Sequence, residues 1–323
     1  MWRVVQASLP LSALMISETT LTNCLLCKRP LRHMGEDFAG KQIYKCDQCD
    51  YAMTPPATSD DASELYDNPE YFDGWGCNME FDYDRFEPAV HQQVEQYLDF
   101  IKKHTRGKSL LDVGTGSGLL PHLARQAGYE VEGTDLSRHV SETLPATAGF
   151  PVHHGPLEEI TFHRKYDIIT MLHVLEHTSD PLSTLLRAKE ILNTEGYVLV
   201  VVPNYKSVDT RIKNLLSRLK LKSRAYKHLA LGHHNYVFSI KSLEVLGRAA
   251  GLQVVYQTTT QPAWRSSAFH RFFERYQLAT WCWIVYRNGR ASMPDRGYDN
   301  SVLGDTMRQP RSSFAKLDDG RVD

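Results

Sequence analysis

No window of this 323-residue sequence holds the roughly 18 consecutive apolar residues that a membrane-crossing helix needs, which excludes a helical span. An excess of charge of either sign is also missing. The 37 Lys and Arg residues nearly cancel 38 Asp and Glu, so no global field draws the chain to nucleic acid or to an acidic partner, and any electrostatic preference is local. Cysteines are few: of the six, four form two close pairs, and Cys77 and Cys282 stand alone. That usage argues against a disulfide scaffold and for a reducing, cytoplasmic setting. A clean secretion signal is lacking as well, because Pro10 interrupts the short apolar run Leu9 to Met15 and no small-x-small cleavage site follows. Residues 1–20 are therefore expected to be a flexible tail, with Met15 as a natural beginning. What is present is 42% hydrophobic residues, sufficient for one α/β domain and a smaller module.

The smaller module is marked by Cys24-x2-Cys27, an 18-residue spacer, and Cys46-x2-Cys49. Each CxxC knuckle aims two thiolates at one tetrahedral ion, and the spacer, with Gly35, Gly40 and a short strand through Gln42, Ile43 and Tyr44, can fold back as a hairpin. A zinc ribbon is expected over residues 21–56. Sulfur would fill all four positions, which makes the zinc structural and not catalytic.

Residues 57–106 are expected to hold a polar linker, an aromatic lid from Tyr66 to Phe86, in which Tyr71 is a candidate acceptor contact, and a leading helix from Pro88 to His104. The same rings can equally pack the N-terminal segment onto the core. From Lys108 the pattern alternates strand and helix. Strands are expected at 108–113, 130–134, 151–154, 166–172, 196–202 and 252–258, and helices at 117–127, 138–146, 181–193 and 240–250. This alternation defines an α/β fold with a parallel sheet covered by helices on both faces. Trp281 to Tyr286 is expected to add an antiparallel edge strand. The domain therefore spans 107–287, with an insertion at 205–239 and a disordered tail over 288–323.

The first expected strand of the alternation ends in Asp112-Val113-Gly114-Thr115-Gly116-Ser117-Gly118, so a glycine-rich turn lies under a ligand at a helix N-terminus. Leu119 occupies the place of the third glycine in a dinucleotide loop, which weakens a nicotinamide or flavin assignment. Asp135 ends the second strand, at the offset where one carboxylate accepts both hydroxyls of a ribose. A nucleoside ligand follows from the pair.

Residues 108–137 resemble motif I and the second-strand acid of class I S-adenosylmethionine-dependent methyltransferases. The stretch Tyr166 to His177, with Asp180-Pro181 after it, resembles their post-fourth-strand signature, here HxLEH, and the likeness continues through Leu192 to Gly196 and Val202-Pro203-Asn204. It covers about residues 66–260 and implies a Rossmann-like methyltransferase sheet. With the cysteine module, the layout is similar to bacterial methyltransferases of sugars and cell-surface glycans, and more distantly to quinone-biosynthesis O-methyltransferases. The resemblance implies that Gly114, Thr115 and Gly116 approach the methionine part of S-adenosylmethionine, that Asp112 orients the loop, and that Asp135 holds the ribose. Leu136 and Leu157 would flank the adenine, with Glu158 a further candidate, and Leu172 would line the cofactor from the fourth strand.

His173, Glu176 and His177 stand at i, i+3 and i+4, so one helical turn can present all three together. Because a sulfonium already activates the methyl group, the protein need only align the acceptor and remove its proton, and a histidine tuned by Glu176 suits that task. A divalent metal at this site is a second option, with His233 or His234 as a further ligand. Asn204, His233 and His234 are also candidate acceptor contacts. Within the insertion, Arg211 to Lys227 holds seven basic residues and no acidic one, and Ile212, Leu215, Leu216 and Leu219 recur at helical spacing. That segment suits an anionic or lipid-linked acceptor, a peripheral membrane contact, or a plain solvated cap.

The expected activity is O-methylation, with C-methylation as a variant, of a small-molecule, sugar or glycan-type acceptor. Two alternatives remain. One is an RNA methyltransferase using the ribbon as a substrate module, which the near-zero net charge disfavours. The other is a non-catalytic regulator that uses the fold as a cofactor sensor. The sequence gives no indication of oligomeric state.

Overall fold

A computed structural model describes residues 23–37, 40–54, 83, 86, 88–221, 229, 234–260 and 276–288. The expected N-terminal tail, linker, most of the aromatic lid including Tyr71, His233, and the C-terminal tail beyond Asn288 lie outside the described residues.

The larger sheet contains seven strands: β4 (Ser109–Val113), β5 (Glu130–Asp135), β6 (Val152–His154), β7 (Tyr166–Leu172), β8 (Leu192–Pro203), β10 (Leu252–Thr260) and β11 (Trp281–Asn288). Their order is β10-β11-β8-β7-β4-β5-β6. Strands β6, β5, β4, β7 and β8 run parallel, and β11 is antiparallel to both β8 and β10. The last strand was expected at the edge. It is instead inserted between β8 and β10, because Cys282, Ile284 and Tyr286 are fully buried on one face while Trp283 and Val285 are buried on the other, a pattern that an edge cannot satisfy. Strand β8 also starts earlier than expected, at Leu192, which shortens the preceding helix.

Alternate residues of each central strand feed two cores. Leu111, Ile169 and Val200 face one side, where they meet α4 (Pro181–Ile191) and α6 (Ile240–Ala249). Leu110, Ile168 and Val201 face the other, against α1 (Pro88–His104), α2 (Leu119–Gln126) and α3 (Arg138–Ala148). Local chemistry sets the helix starts. The Ser137 side chain caps α3 by accepting from Val140 N–H, Asp180 caps α4 ahead of Pro181, and Ser239 and Ser242 form a reciprocal capping box on α6. Helix α2 begins at Leu119, two residues later than expected, because Gly118 occupies the left-handed region at φ 74°.

The smaller sheet has the order β1 (Arg32–Glu36), β2 (Gln42–Cys46), β3 (Tyr51–Met53), β9 (Tyr236–Val237). Strands β1, β2 and β3 form the expected ribbon hairpin and its continuation. The fourth strand, β9, comes from the insertion and pairs antiparallel with β3. The ribbon is thus completed by the larger domain. Tyr51 packs against Tyr236 and Phe238, Lys206 pairs with Asp50 at 3.0 Å, and Ser239 Oγ donates to the Asp50 carbonyl at 2.9 Å.

Candidate active site

The strand order reverses at β4, which pairs with β5 on one side and β7 on the other, so a crevice opens at the carboxyl ends of β4 and β7. The glycine loop follows β4 and the His173–His177 segment follows β7. Gly114, at φ 67°, abuts this second segment: a Cβ there would lie 2.4 Å from Val174 Cγ2. At Gly116, φ 51°, a Cβ would meet nothing closer than 3.9 Å, so the loop leaves space for a ligand to approach the backbone.

Asp135 is buried at the end of β5. Its Oδ2 accepts the Gly116 N–H at 2.7 Å and its Oδ1 the Ser137 N–H at 2.8 Å. Each oxygen keeps a further lone pair, which suits one ribose hydroxyl apiece. Burial pushes this carboxyl above its ordinary value, and the backbone N–H groups oppose that rise. Asp112 is also buried; desolvation raises its pKa to about 7, although the Thr170 hydroxyl donates to it. Thr115 Oγ1 donates to the Asp112 carbonyl at 3.0 Å, so Thr115 braces the loop with its hydroxyl. Leu136 and Leu172 are half-buried and Leu157 is buried. Glu158 is exposed, and its Oε1 accepts from the Thr184 hydroxyl on α4.

His173, Glu176 and His177 do not lie on a helix. They occupy a turn in which His177 N–H donates to the Val174 carbonyl at 2.9 Å, and His173 has a left-handed backbone, φ 57°, uncommon for a residue with a Cβ. The effect is to turn the His173 ring back over Glu176, with Nδ1 3.3 Å from Oε1. Glu176 is 1% exposed, and its Oε2 has no hydrogen-bond partner among the described residues. Burial pushes the Glu176 carboxyl up, but the His173 contact and the nearby His177 and His234 outweigh it and hold the group below its usual range. An ionised carboxylate only accepts, so this contact requires a proton on His173 Nδ1, and in the neutral ring that tautomer leaves the lone pair on Nε2. Trp281, at the start of β11, meets the His173 ring edge-on at 4.9 Å.

His234 does join the site. One ligand atom from each of Glu176, His177 and His234 falls within 4.8 Å of the others, and the His177 and His234 rings lie 4.7 Å apart. Asn235 fixes this approach. Its side-chain amide donates to the carbonyls of His177 at 2.9 Å and Thr178 at 3.2 Å, and the backbone N–H groups of Asn235 and Tyr236 both donate to the Glu176 carbonyl. Asn204 corrects an expectation. It is 2% exposed, and its amide donates to the Gln277 and Ala279 carbonyls while its oxygen accepts from Lys206 N–H, so it ties β8 to the segment before β11 and does not face an acceptor.

Sequence reasoning missed Tyr83, Trp281 and Asn235 as individuals. Tyr83 stacks on His122 at 3.9 Å, and its buried hydroxyl has no partner among the described residues and lies about the glycine loop, 3.0 Å from where a Gly118 Cβ would be. Its place in an aromatic stretch was the only available signal.

The four ribbon cysteines converge. Sγ atoms of Cys24 and Cys49 are 3.9 Å apart and those of Cys27 and Cys46 3.5 Å, close to the roughly 3.8 Å expected of a tetrahedral zinc–thiolate site. Cys27 N–H points to Cys24 Sγ and Cys49 N–H to Cys46 Sγ, as each knuckle requires. The Cys49 hydrogen bond first, helped by the other partners, lowers the Cys24 pKa to about 4, whereas burial raises that of Cys46 to about 11. A dication held among them would let all four ionise together.

A parallel sheet with its crevice at the β4/β7 switch, a glycine loop and a ribose-compatible acid define a Rossmann-like class I methyltransferase fold. The chain belongs to the methyltransferase domain family, whose profile matches residues 83–257, and is an S-adenosylmethionine-dependent methyltransferase. Among curated relatives, it is 28% identical over 191 residues to a ubiquinone biosynthesis O-methyltransferase of Nitrosospira multiformis, covering 56% of this chain and 75% of that protein. It is 30% identical over 179 residues to the protein of the same name from Aromatoleum aromaticum, covering 52% and 74%. A solved S-adenosylmethionine-dependent methyltransferase from Thermotoga maritima aligns with 70% of this chain and 99% of its own at 18% identity, TM-score 0.49. Among the described residues no helix is long and apolar enough to cross a membrane.

Proposed function

We propose that the protein methylates a hydroxyl oxygen of a small-molecule acceptor, with His173 as general base and Glu176 as the residue that orients it. The observation that carries this reading is the His173 Nδ1 to Glu176 Oε1 contact one side chain away from the glycine loop, since Val174 fills the space a Gly114 side chain would take. Bound S-adenosylmethionine supplies an electrophilic methyl group. Asp135 and the Gly114–Gly116 loop hold the nucleoside and methionine ends, with Leu136, Leu157 and Leu172 as apolar walls. His173 Nε2 takes the proton that the acceptor hydroxyl releases, and the Trp281 ring bounds the space beside it. A phenolic hydroxyl is the first acceptor to try, because the relatives act in ubiquinone biosynthesis by name, and sugar or glycan hydroxyls are the second.

A second reading concerns a divalent cation at the same site. It is favoured by the convergence of Glu176, His177 and His234 and by the unpartnered Glu176 Oε2. A cation there would lower the pKa of an acceptor hydroxyl and lessen the demand on His173. Metal content and calorimetric titration with Mg²⁺, Mn²⁺ and Zn²⁺ after chelation, compared between wild type and His234→Asn, separate this reading from the metal-free one. A structural zinc in the ribbon is proposed alongside, and one zinc per chain that survives His234→Asn is its expected signature.

The test of the function is transfer of labelled methyl from S-adenosylmethionine to catechols, hydroquinones and nucleotide sugars. Wild type should label one class, and Asp135→Ala should bind cofactor about 100-fold or more weakly because two hydrogen bonds to a charged acceptor are lost. A folded protein that binds the cofactor yet labels no acceptor, with and without added cation, would favour the regulator instead.

A further inference from the structure

Helix α5 (Val208–Arg218) is mounted with its polar side inward. Ser217 is 4% exposed and Thr210 and Asn214 are half-buried, with Val208 and Leu216 the half-buried apolar residues, whereas Ile212, Leu215 and Leu219 are 54%, 54% and 57% exposed, and Leu221 just beyond is 69% exposed. A helix that stabilised itself by burial against its own domain would show the reverse. At 3.6 residues per turn, Ile212, Leu215 and Leu219 form one outward stripe, with Arg211 and Arg218 in a row along one flank. Lys213 lies along the other, paired with Asp209, and Lys220 continues from the turn that ends the helix. Beyond it the sequence adds Lys222, Arg224 and Lys227 with no acidic residue.

An apolar stripe flanked by the exposed Arg211 and Arg218 and followed by Lys220 complements one kind of surface: acyl chains under anionic headgroups. The apolar side chains enter the interface and the long cationic ones beside them reach the phosphate level. A protein partner with an apolar groove would explain the stripe but not the basic excess of the segment, where Asp209 is the one acidic residue against seven basic ones between 208 and 227. The helix also leaves β8 at the rim that carries the acceptor site, since Val208 N–H donates to the Leu278 carbonyl and Pro203 pairs with Trp281. We propose that α5 docks the enzyme onto an anionic membrane surface.

Co-sedimentation of the full chain with vesicles tests this. Binding is expected to vesicles containing about 30% phosphatidylglycerol, to be weak on pure phosphatidylcholine, and to fall as salt rises. Arg211→Gln and Arg218→Gln should each weaken partitioning about fivefold, and Leu215→Asp at least about tenfold. Cofactor affinity and thermal midpoint should stay at wild-type values in all three, because these side chains are exposed. Failure of the folded, cofactor-binding protein to distinguish the two vesicle types would overturn the proposal, as would wild-type vesicle binding by Leu215→Asp. So would a wild-type dimer in sedimentation velocity that Leu215→Asp converts to monomer without changing lipid binding, because the stripe would then be a contact between copies of the chain.

Discussion

At the scale of single residues, two of the three buried carboxyls with shifted pKa values, Glu176 and Asp112, work in opposite directions. Glu176 has a folded value below the free value of 4.5, so it binds protons less readily folded than unfolded. The stability it contributes is present above pH 4.5 and is lost as pH falls through the folded value. Glu176→Gln should therefore unfold at a lower temperature than wild type at neutral pH, with the difference closing under acid. Because Glu176 acts through His173, the same variant should lose about 100-fold in kcat/KM and shift the acidic limb of its pH profile, with cofactor affinity unchanged. Asp112 is the mirror case. Its folded value of about 7 exceeds the free value of 3.8, so its favourable contribution is complete below pH 3.8 and is lost as pH rises through about 7. Asp112→Asn keeps an acceptor for Thr170 and removes that loss, so its thermal midpoint should exceed that of wild type at pH 8 by about 2–6 °C and match it near pH 4. A differential scanning series across pH reads both signs at once.

At the scale of elements, the two-residue strand β9 determines how the site is assembled. It pairs with β3 of the ribbon, and the residues just before it anchor the His173–His177 turn through Asn235. Asn235→Ala should cost about 1–2 kcal/mol of stability and loosen His234 from Glu176 and His177. The measurable outcome is a higher KM for the acceptor at unchanged cofactor Kd. Equal losses of both would mean that Asn235 merely supports the fold. Strand β9 was not legible in the sequence, because two residues carry no periodicity and its partner strand lies far away in the chain, as the pairing of Met53 with Tyr236 and of Ala52 with Val237 shows. The central strands were legible because strands buried on both faces read as continuous apolar runs, as in Tyr197 to Val202 of β8. The HxLEH segment was legible in composition but not in conformation: the left-handed backbone at His173 replaces the expected helical turn, and no periodicity signals a single residue at positive φ. Asn204 misled for a related reason. A polar residue at a strand end looks like a ligand contact until its three backbone partners are seen.

For the whole molecule, the sequence suggests a ribbon tethered to an enzyme, whereas the packing makes them one body. Cys24, Cys46, Cys49, Tyr51 and Met53 share a single continuous core with Val200 of β8, Leu243 of α6 and Ile284 of β11. A tethered module would unfold by itself when its metal is removed, leaving the catalytic domain untouched. A shared core couples the two, so binding energy at the cysteines is felt by the sheet. Calorimetry should therefore show one cooperative transition for the zinc-loaded protein. Chelation, or Cys46→Ser, should move that transition to lower temperature as a whole instead of splitting off a small early one. Hydrogen exchange supplies the spatial control: loss of metal should raise exchange at Tyr236 and Val237 and in the turn from Val174 to His177, where the chain of hydrogen bonds from ribbon to site runs, while β5 keeps its protection. Two separable transitions with unchanged exchange at β9 would mean that the four-stranded sheet exists without coupling the cysteines to catalysis, and the ribbon would then be an appended module after all.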